Sequence, residues 1–370
     1  MMGHHKIIAI NPGSTSTKLS VFEDEKAVFM KNISHDAQEL QQFDEIKDQL
    51  EYRKSAIVKS LQAERIGLEN TDAFVGRGGG LVPLSGGIYS VNDILLDHAR
   101  KCLTAKHPAT LGSQIARSFS EEFGGISLVV NPPDVDEFME KARITGLKGI
   151  YRESRCHALN QKEVGLRYAQ KVGKKYEELN LIIAHIGGGV SVTAHQKGKM
   201  IDSNDIVNGD GPFAPTRAGS IPASSVVDMC FSGMYSEKEI REKIVKTGGL
   251  VSHLNTSEVL DVLAMIEDGH AYAKLVLDAM SYQIGKFIGA MAVALEGKVD
   301  AIILTGGISR SELITGDIKK MVDFIAPVEV NAGEFEMEAL ASGALRILRG
   351  EEKPKEYTGI PVWSGEVYEN

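Results

Sequence analysis

Ile7-Ile8-Ala9-Ile10 runs into Asn11-Pro12-Gly13-Ser14-Thr15-Ser16-Thr17-Lys18, and Leu19-Ser20-Val21-Phe22 leaves it. Two apolar runs flank a turn of glycine, hydroxyls and one lysine, which reads as a β-hairpin with a polar tip. The tip supplies backbone N–H groups, hydroxyls and an ammonium, a set suited to a phosphate. It is not a Walker A loop, because the spacing differs and a strand rather than a helix follows.

A second element of the same kind begins the other half. Leu181-Ile182-Ile183-Ala184-His185-Ile186 enters Gly187-Gly188-Gly189, and Val190-Ser191-Val192-Thr193-Ala194-His195 leaves as an alternating strand. Glycines let a backbone approach a ligand closely. A third strand, Asp300-Ala301-Ile302-Ile303-Leu304-Thr305, is nearly all apolar, as in a sheet buried on both faces. It turns through Gly306-Gly307 into a predicted helix. Two strand–turn–strand elements, one near the start of each half, predict a duplicated α/β unit.

These pieces, in order, resemble the acetate kinase family, and within it the butyrate and branched-chain fatty-acid kinases. The resemblance also covers Val75-Gly76-Arg77-Gly78-Gly79, His107, Cys156-His157-Ala158-Leu159-Asn160-Gln161, and the run from Gly209 through Pro215-Thr216-Arg217 to Gly219. It implies an α/β fold of two actin-like (ribonuclease H-like) domains with a nucleotide cleft between them. The implied activity is transfer of the ATP γ-phosphoryl group to a short-chain carboxylate, with Mg2+. Two alternatives stand beside it: an acetate or propionate kinase, and a non-catalytic ATP-dependent conformational protein of the actin or chaperone type.

Composition agrees with a soluble two-domain enzyme. The chain has 370 residues, a length that suits two domains. Its formal net charge is −9 and it carries no basic block, which argues against a nucleic-acid partner. Positive charge must then be focused locally, and Lys18, Arg77 and Arg217 are the candidates. The three cysteines form no C-x-x-C pair and read as reduced thiols of a cytoplasmic chain. No apolar run is long enough to span a bilayer, and the start lacks the apolar core of a signal peptide.

Phosphoryl transfer to a carboxylate depends on positioning and charge stabilisation. Arginines suit both tasks, since a guanidinium grips a carboxylate bidentately and stabilises phosphoryl oxygens. Family position makes Arg77, Arg217, His157 and His185 the catalytic candidates. Arg77, Gly79 and His107 are candidates for holding the carboxylate substrate. Asn11, Gly13, Ser14, Thr15, Ser16 and Lys18, with Gly187, Gly188, Gly189, Gly306 and Gly307, are candidates for holding ATP. Family position also suggests Asn11 and Glu336 for the metal, with Glu338 as second choice. Relatives place an Asp directly after the strand ending near Val130; here Asn131 stands there, so Asp134 or Asp136 is the substitute candidate. Where acetate kinases have bulky valines after the first arginine, this chain has Gly78 and Gly79, which implies room for a longer acyl chain. A homodimer or higher homo-oligomer is implied by the resemblance alone.

Strands alternating with helices predict mainly parallel sheets. Helices are expected over 109–123, 157–179, 272–296 and 336–349, with a capping box at Ser236-Glu237-Lys238-Glu239 and a further start at Asn255 with Glu258. Motif order places the domain boundary near Tyr151–Cys156, giving residues 1–153 joined by 336–370, and residues 154–335.

Overall fold

A computed structural model describes residues 4–365. It separates into two compact units, residues 4–136 with 335–365, and residues 137–334.

The first unit holds β1 (Lys6–Pro12), β2 (Ser16–Glu23), β3 (Lys26–Ser34), β4 (Ala73–Gly76), β5 (Ile88–Ser90) and β6 (Ile126–Val130). Their order across the sheet is β3-β2-β1-β4-β6-β5. The second unit holds β7 (Asn180–Ile186), β8 (Val190–Gln196), β9 (Lys199–Ser203), β10 (Ala301–Gly306) and β11 (Val328–Ala332), in the order β11-β10-β7-β8-β9. Each sheet is thus an antiparallel three-strand meander extended by two parallel strands, the first unit adding β5 at its edge. The duplication expected from the two hairpins is present. The sheets are mixed rather than mainly parallel, because two strands joined by a short turn can pair only antiparallel.

The apolar strands lie where their composition requires. Ile7, Ile8, Ala9 and Ile10 of β1, and Ile182, Ile183 and Ala184 of β7, are fully buried. In the second unit the long helix Ala271–Ala294 packs Val276, Met280, Ile284 and Met291 into the core beside Val192 and Ala194 of β8. The late helix Glu336–Leu348 buries Leu340, Ala344 and Leu345 and packs on β1, β4 and β6 of the first unit. Gly350 follows in a left-handed conformation.

Several boundaries differ from expectation. The helix expected over 157–179 spans Ala158–Lys171; Gly173, at φ +68°, breaks it before a short 3-10 turn at Tyr176–Glu178. The one expected from Ala109 begins at Leu111, after a 3-10 turn at Pro108–Thr110. Asn255 ends a helix instead of starting one: at φ 59° it closes Gly249–Leu254, and the next helix begins at Val259. The capping box at Ser236 forms as read.

The division between units lies at 136/137, not near 153. Residues 137–153 belong with the second unit because their polar groups are spent there. The Glu137 carboxylate pairs with Lys162 at 2.8 Å, both side chains under a tenth exposed, and accepts the Met200 N–H. Arg152 bonds Asp202 at 2.8 Å. Residues 366–370 of the expected returning segment lie outside the described residues. Among the described residues no helix is long and apolar enough to cross a membrane, and Cys102, Cys156 and Cys230 are not joined in disulfides.

Beneath the β1–β2 turn, His35 is buried with its Nε2 2.8 Å from Thr17 Oγ1. Burial, reinforced by the Arg53 charge, pulls its pKa down to about 4. The unfolded chain holds the same imidazole near about 6.5, so between these values the unfolded state binds the extra proton. Stability should therefore be full above pH 6.5 and decline as pH falls toward 4. Urea unfolding at a series of pH values should show that decline shallower in His35→Gln than in the parent. Equal slopes in the two proteins would remove His35 as its cause.

Candidate active site

The parallel pairing of β1 with β4 sets Ile10 beside Gly76, so the residues that follow, Asn11 and Arg77, emerge together at one end of the sheet. The Arg77 N–H donates to the Ile10 carbonyl at 3.0 Å and fixes that exit. A cavity of about 280 Å³ opens there, within the first unit. Asn11, Pro12, Gly13, Ser16, Lys18, Arg77, His107, Ala109, Pro133 and Glu336 line it. Seven of the residues singled out from sequence thus converge on one hollow, although they span more than three hundred positions of chain.

Its polar groups are coupled. Asn11 Nδ2 donates to Glu336 Oε2 at 2.8 Å, and Arg77 Nε lies 3.8 Å from Glu336 Oε1. Arg77 Nη1 donates to the Asn131 carbonyl at 3.3 Å. His107 Nδ1 accepts the Ala109 N–H, and burial, then the charges of Arg77 and Arg53, depress its pKa. The imidazole is thereby held as a neutral donor–acceptor beside the guanidinium.

Other predicted residues fall outside this lining. Ser14 and Thr15 sit at the exposed tip of the turn. Glu338 is not in the lining, since two residues along a helix point well apart. Asp134 and Asp136 are buried away from it; Asp134 accepts the Thr104 hydroxyl at 2.5 Å. Asn131 is spent on structure: at φ 38° its side chain accepts the Gly87 N–H at 2.7 Å. Gly78 and Gly79 have a backbone reason as well as a spatial one, with φ of +70° and +140°. A Cβ on Gly78 would meet Val129 at 2.6 Å, whereas one on Gly79 would rest 3.7 Å from Pro133 and 4.0 Å from Ala109, both on the cavity wall.

The second unit gathers the histidines. His185, near the end of β7, pairs with Thr305 of β10, and His157 caps the helix Ala158–Lys171. Their rings stack with centroids 3.8 Å apart and planes at 16°. Ser191 Oγ lies 2.8 Å from His157 Nδ1. Asn160 Nδ2 donates to His185 Nδ1 at 2.9 Å, which leaves the ring proton of a neutral His185 on Nε2. That atom faces Gly187, where a Cβ would stand 3.1 Å from it.

The glycines there divide by physical reason. Gly188 and Gly307 face open space, as a ligand-approach role requires. Gly306, at φ +92°, leaves room for the Ile186 carbonyl. Gly189 leaves room for Arg217: a Cβ there would overlap Arg217 Nη1. The loop bearing Arg217 is latched to the same turn, because Thr216 Oγ1 donates to the Gly188 carbonyl at 3.2 Å. Arg217 is half-buried, its buried Nη1 has no hydrogen-bond partner among the described residues, and burial lowers its pKa against the pull of Asp205. A buried donor left unmatched is costly unless a ligand supplies the acceptor.

Residues 148–327 match the model of the acetokinase family. A probable butyrate kinase of Clostridium botulinum strain Alaska E43 is 46% identical over 353 residues, covering 95% of this chain and 99% of its own. A probable butyrate kinase of strain Eklund 17B is equally similar. The chain belongs to the acetokinase family. Among solved structures, an acetate kinase of Porphyromonas gingivalis superposes with a TM-score of 0.74 at 18% identity, covering 93% of this chain and all of its own. A propionate kinase of Francisella tularensis superposes at 0.71, covering 91% of this chain and 98% of its own. The fold is that of the actin-like kinases.

Sequence reading missed Asn160, Ser191, Thr305 and Arg53. Asn160 had a signal, since it lies one helical turn after His157 and so shares its face. Ser191 and Thr305 are marked only by strand register, and Arg53 by nothing local. The seat of Arg217 is testable: Gly189→Ala should force the guanidinium outward. Phenylglyoxal labelling of Arg217, followed by mass spectrometry, should rise several-fold in the variant. Unchanged labelling would mean that Gly189 does not hold the arginine in place.

Proposed function

We propose that this protein transfers the γ-phosphoryl group of ATP to the carboxylate of butyrate or a branched short-chain fatty acid, giving an acyl phosphate and ADP, reversibly. As a member of the acetokinase family it is a phosphotransferase with a carboxyl acceptor. The observation that carries the substrate is the cavity of the first unit. A guanidinium, Arg77, shares its lining with the polar Asn11 and Glu336 and with the apolar Ala109 and Pro133. That is the pattern a short acid needs, a cation for its head and dry surface for its tail. The probable butyrate kinases that resemble the chain over nearly its full length support the same choice.

Each residue then has a task. Arg77 orients the carboxylate, and the neutral His107 beside it donates or accepts a further bond. Gly79 lies just behind the lining, where an added Cβ would reach Pro133 and Ala109 of the cavity wall, and its lack of a side chain leaves the acyl chain room. Each added methylene gains about 0.8 kcal/mol when buried, so discrimination among neighbouring acids is graded. Arg217 offers an unmatched N–H to oxygens on which charge develops in transfer. His185 directs its Nε2 proton past the glycine turn, held there by Asn160, while Ser191 orients His157. Gly188 and Gly307 leave open surface for the nucleotide, and Gly13, Ser16 and Lys18 meet its phosphates.

Magnesium takes oxygen ligands, uses one or two carboxylates and keeps several waters. Asn11 and Glu336, side by side on the cavity, fit that requirement. Among the described residues no cluster of three or more His, Cys, Asp or Glu is built to cage a metal, which agrees with an ion carried largely by phosphate and water. When bound, the ion would neutralise phosphate charge. The reading carries with it a reducing cytoplasm and a homo-oligomeric state.

The test is to incubate the protein with ATP, Mg2+ and a panel of acids, trapping product with hydroxylamine. Butyrate or a branched acid should lead the ranking by kcat/KM, and a clear lead for acetate would refute the substrate. Arg77→Ala and Arg217→Ala should each lower trapping about 10³-fold, by analogy with arginine fingers, while calorimetry shows ATP still binding. Loss of ATP binding in Arg217→Ala would reassign that residue to the nucleotide.

A further inference from the structure

Behind the β1–β2 turn lies a cation that this scheme does not use. Arg53, on the helix Leu50–Ala63, is 0% exposed. Its Nε donates to Gln49 Oε1 at 3.0 Å; Nη1 donates to the Ser16 carbonyl at 3.2 Å and to Thr17 Oγ1 at 3.1 Å; Nη2 reaches the Ser14 carbonyl at 3.5 Å. Every one of these partners is neutral, and no carboxylate pairs with Arg53 among the described residues. Burying a charge without a counter-charge is expensive, and replacing it by an apolar side chain is often neutral or stabilising. A guanidinium kept there calls for an anion that the chain itself does not provide.

The turn that Arg53 backs is the candidate place for such an anion. Its three successive carbonyls are all taken. Ser14 is met by Arg53, Thr15 by the His35 N–H at 2.9 Å, and Ser16 by both Arg53 and the Gly13 N–H at 2.7 Å. Carbonyl oxygens turned toward a phosphate would repel it, whereas oxygens bound inward leave N–H groups and hydroxyls to meet it. The Arg53 charge is also felt at His107 on the cavity wall.

Resting on the proposed kinase reading, we propose that Arg53 is a positioning residue for the phosphate bound at the Gly13–Ser16 turn. It holds the Ser14 and Ser16 carbonyls inward and sets a permanent positive charge behind the turn. It touches no substrate. Its effect should therefore fall on phosphate affinity and not on recognition of the acid.

The experiment compares the parent with Arg53→Met and Arg53→Lys in the hydroxylamine assay, with thermal melts in the presence and absence of ATP. Arg53→Met, which frees the Ser14 and Ser16 carbonyls and removes the charge behind the turn, should raise KM for ATP about tenfold or more and leave KM for butyrate within about twofold. The rise in melting temperature on adding ATP should shrink in parallel. Arg53→Lys, which keeps the charge but not the fork, should recover part of both. Equal rises in both Michaelis constants, or an unchanged constant for ATP, would overturn the role. If Arg53→Met does not melt cooperatively, Arg53→Lys decides alone: an unchanged KM for ATP overturns the proposal, and a rise confined to ATP supports it. A parent protein that traps no acid defeats the kinase reading separately. The ATP-induced melting shift then still tests Arg53.

Discussion

The parallel pairing of β1 with β4 is the constraint on which the first unit's chemistry depends. It carries no catalytic group, yet its register brings two strand ends level, so Asn11 and Arg77 leave the sheet side by side. The pairing of β7 with β10 repeats the device in the second unit and sets His185 against Thr305. In α/β sheets the carboxyl ends of parallel strands are where ligands gather. Duplicating that sheet gives two such ends in one chain. In each, the antiparallel meander supplies a turn beside the parallel ends, hydroxyl-rich in one unit and glycine-rich in the other.

Arg77 in the first unit and Arg217 in the second each depend on glycines beside them. Arg217 occupies space that a methyl group at position 189 would fill, so the glycine acts through exclusion and not through contact with a ligand. Arg77 follows β4 and precedes backbone that only glycine adopts comfortably, at Gly78 and Gly79. Glu336 lies 3.8 Å from Arg77 Nε, beyond a close hydrogen bond.

Electrostatics resolves an apparent conflict. A protein of net charge −9 has to attract a nucleotide and a carboxylate, both anionic. Lys18, Arg77 and His107 nonetheless line one cavity, where burial and then the charges of Arg77 and Arg53 depress the His107 pKa. Local charge in a partly desolvated hollow outweighs a diffuse surface excess that salt screens.

Much of this was legible in the chain. Apolar runs broken by glycine and hydroxyls marked both hairpins, because a buried strand must be apolar and a tight turn must not be. The ordered motifs marked Asn11, Arg77, His107, His185, Arg217 and Glu336, since each stands next to a strand end, turn or helix start with its own local signature. What tertiary structure alone decided is which of these groups meet. Glu336 rather than Glu338 joins Asn11, the Asn131 side chain accepts the Gly87 N–H, one oxygen of Asp134 accepts the Thr104 hydroxyl, and Gly189 makes room for Arg217. Arg53, a plain arginine in the helix Leu50–Ala63, becomes a buried cation only when that helix is laid under the turn. Local sequence determines backbone geometry within a few residues. Partners dozens or hundreds of positions apart are chosen by packing and strand register, and no short motif encodes those.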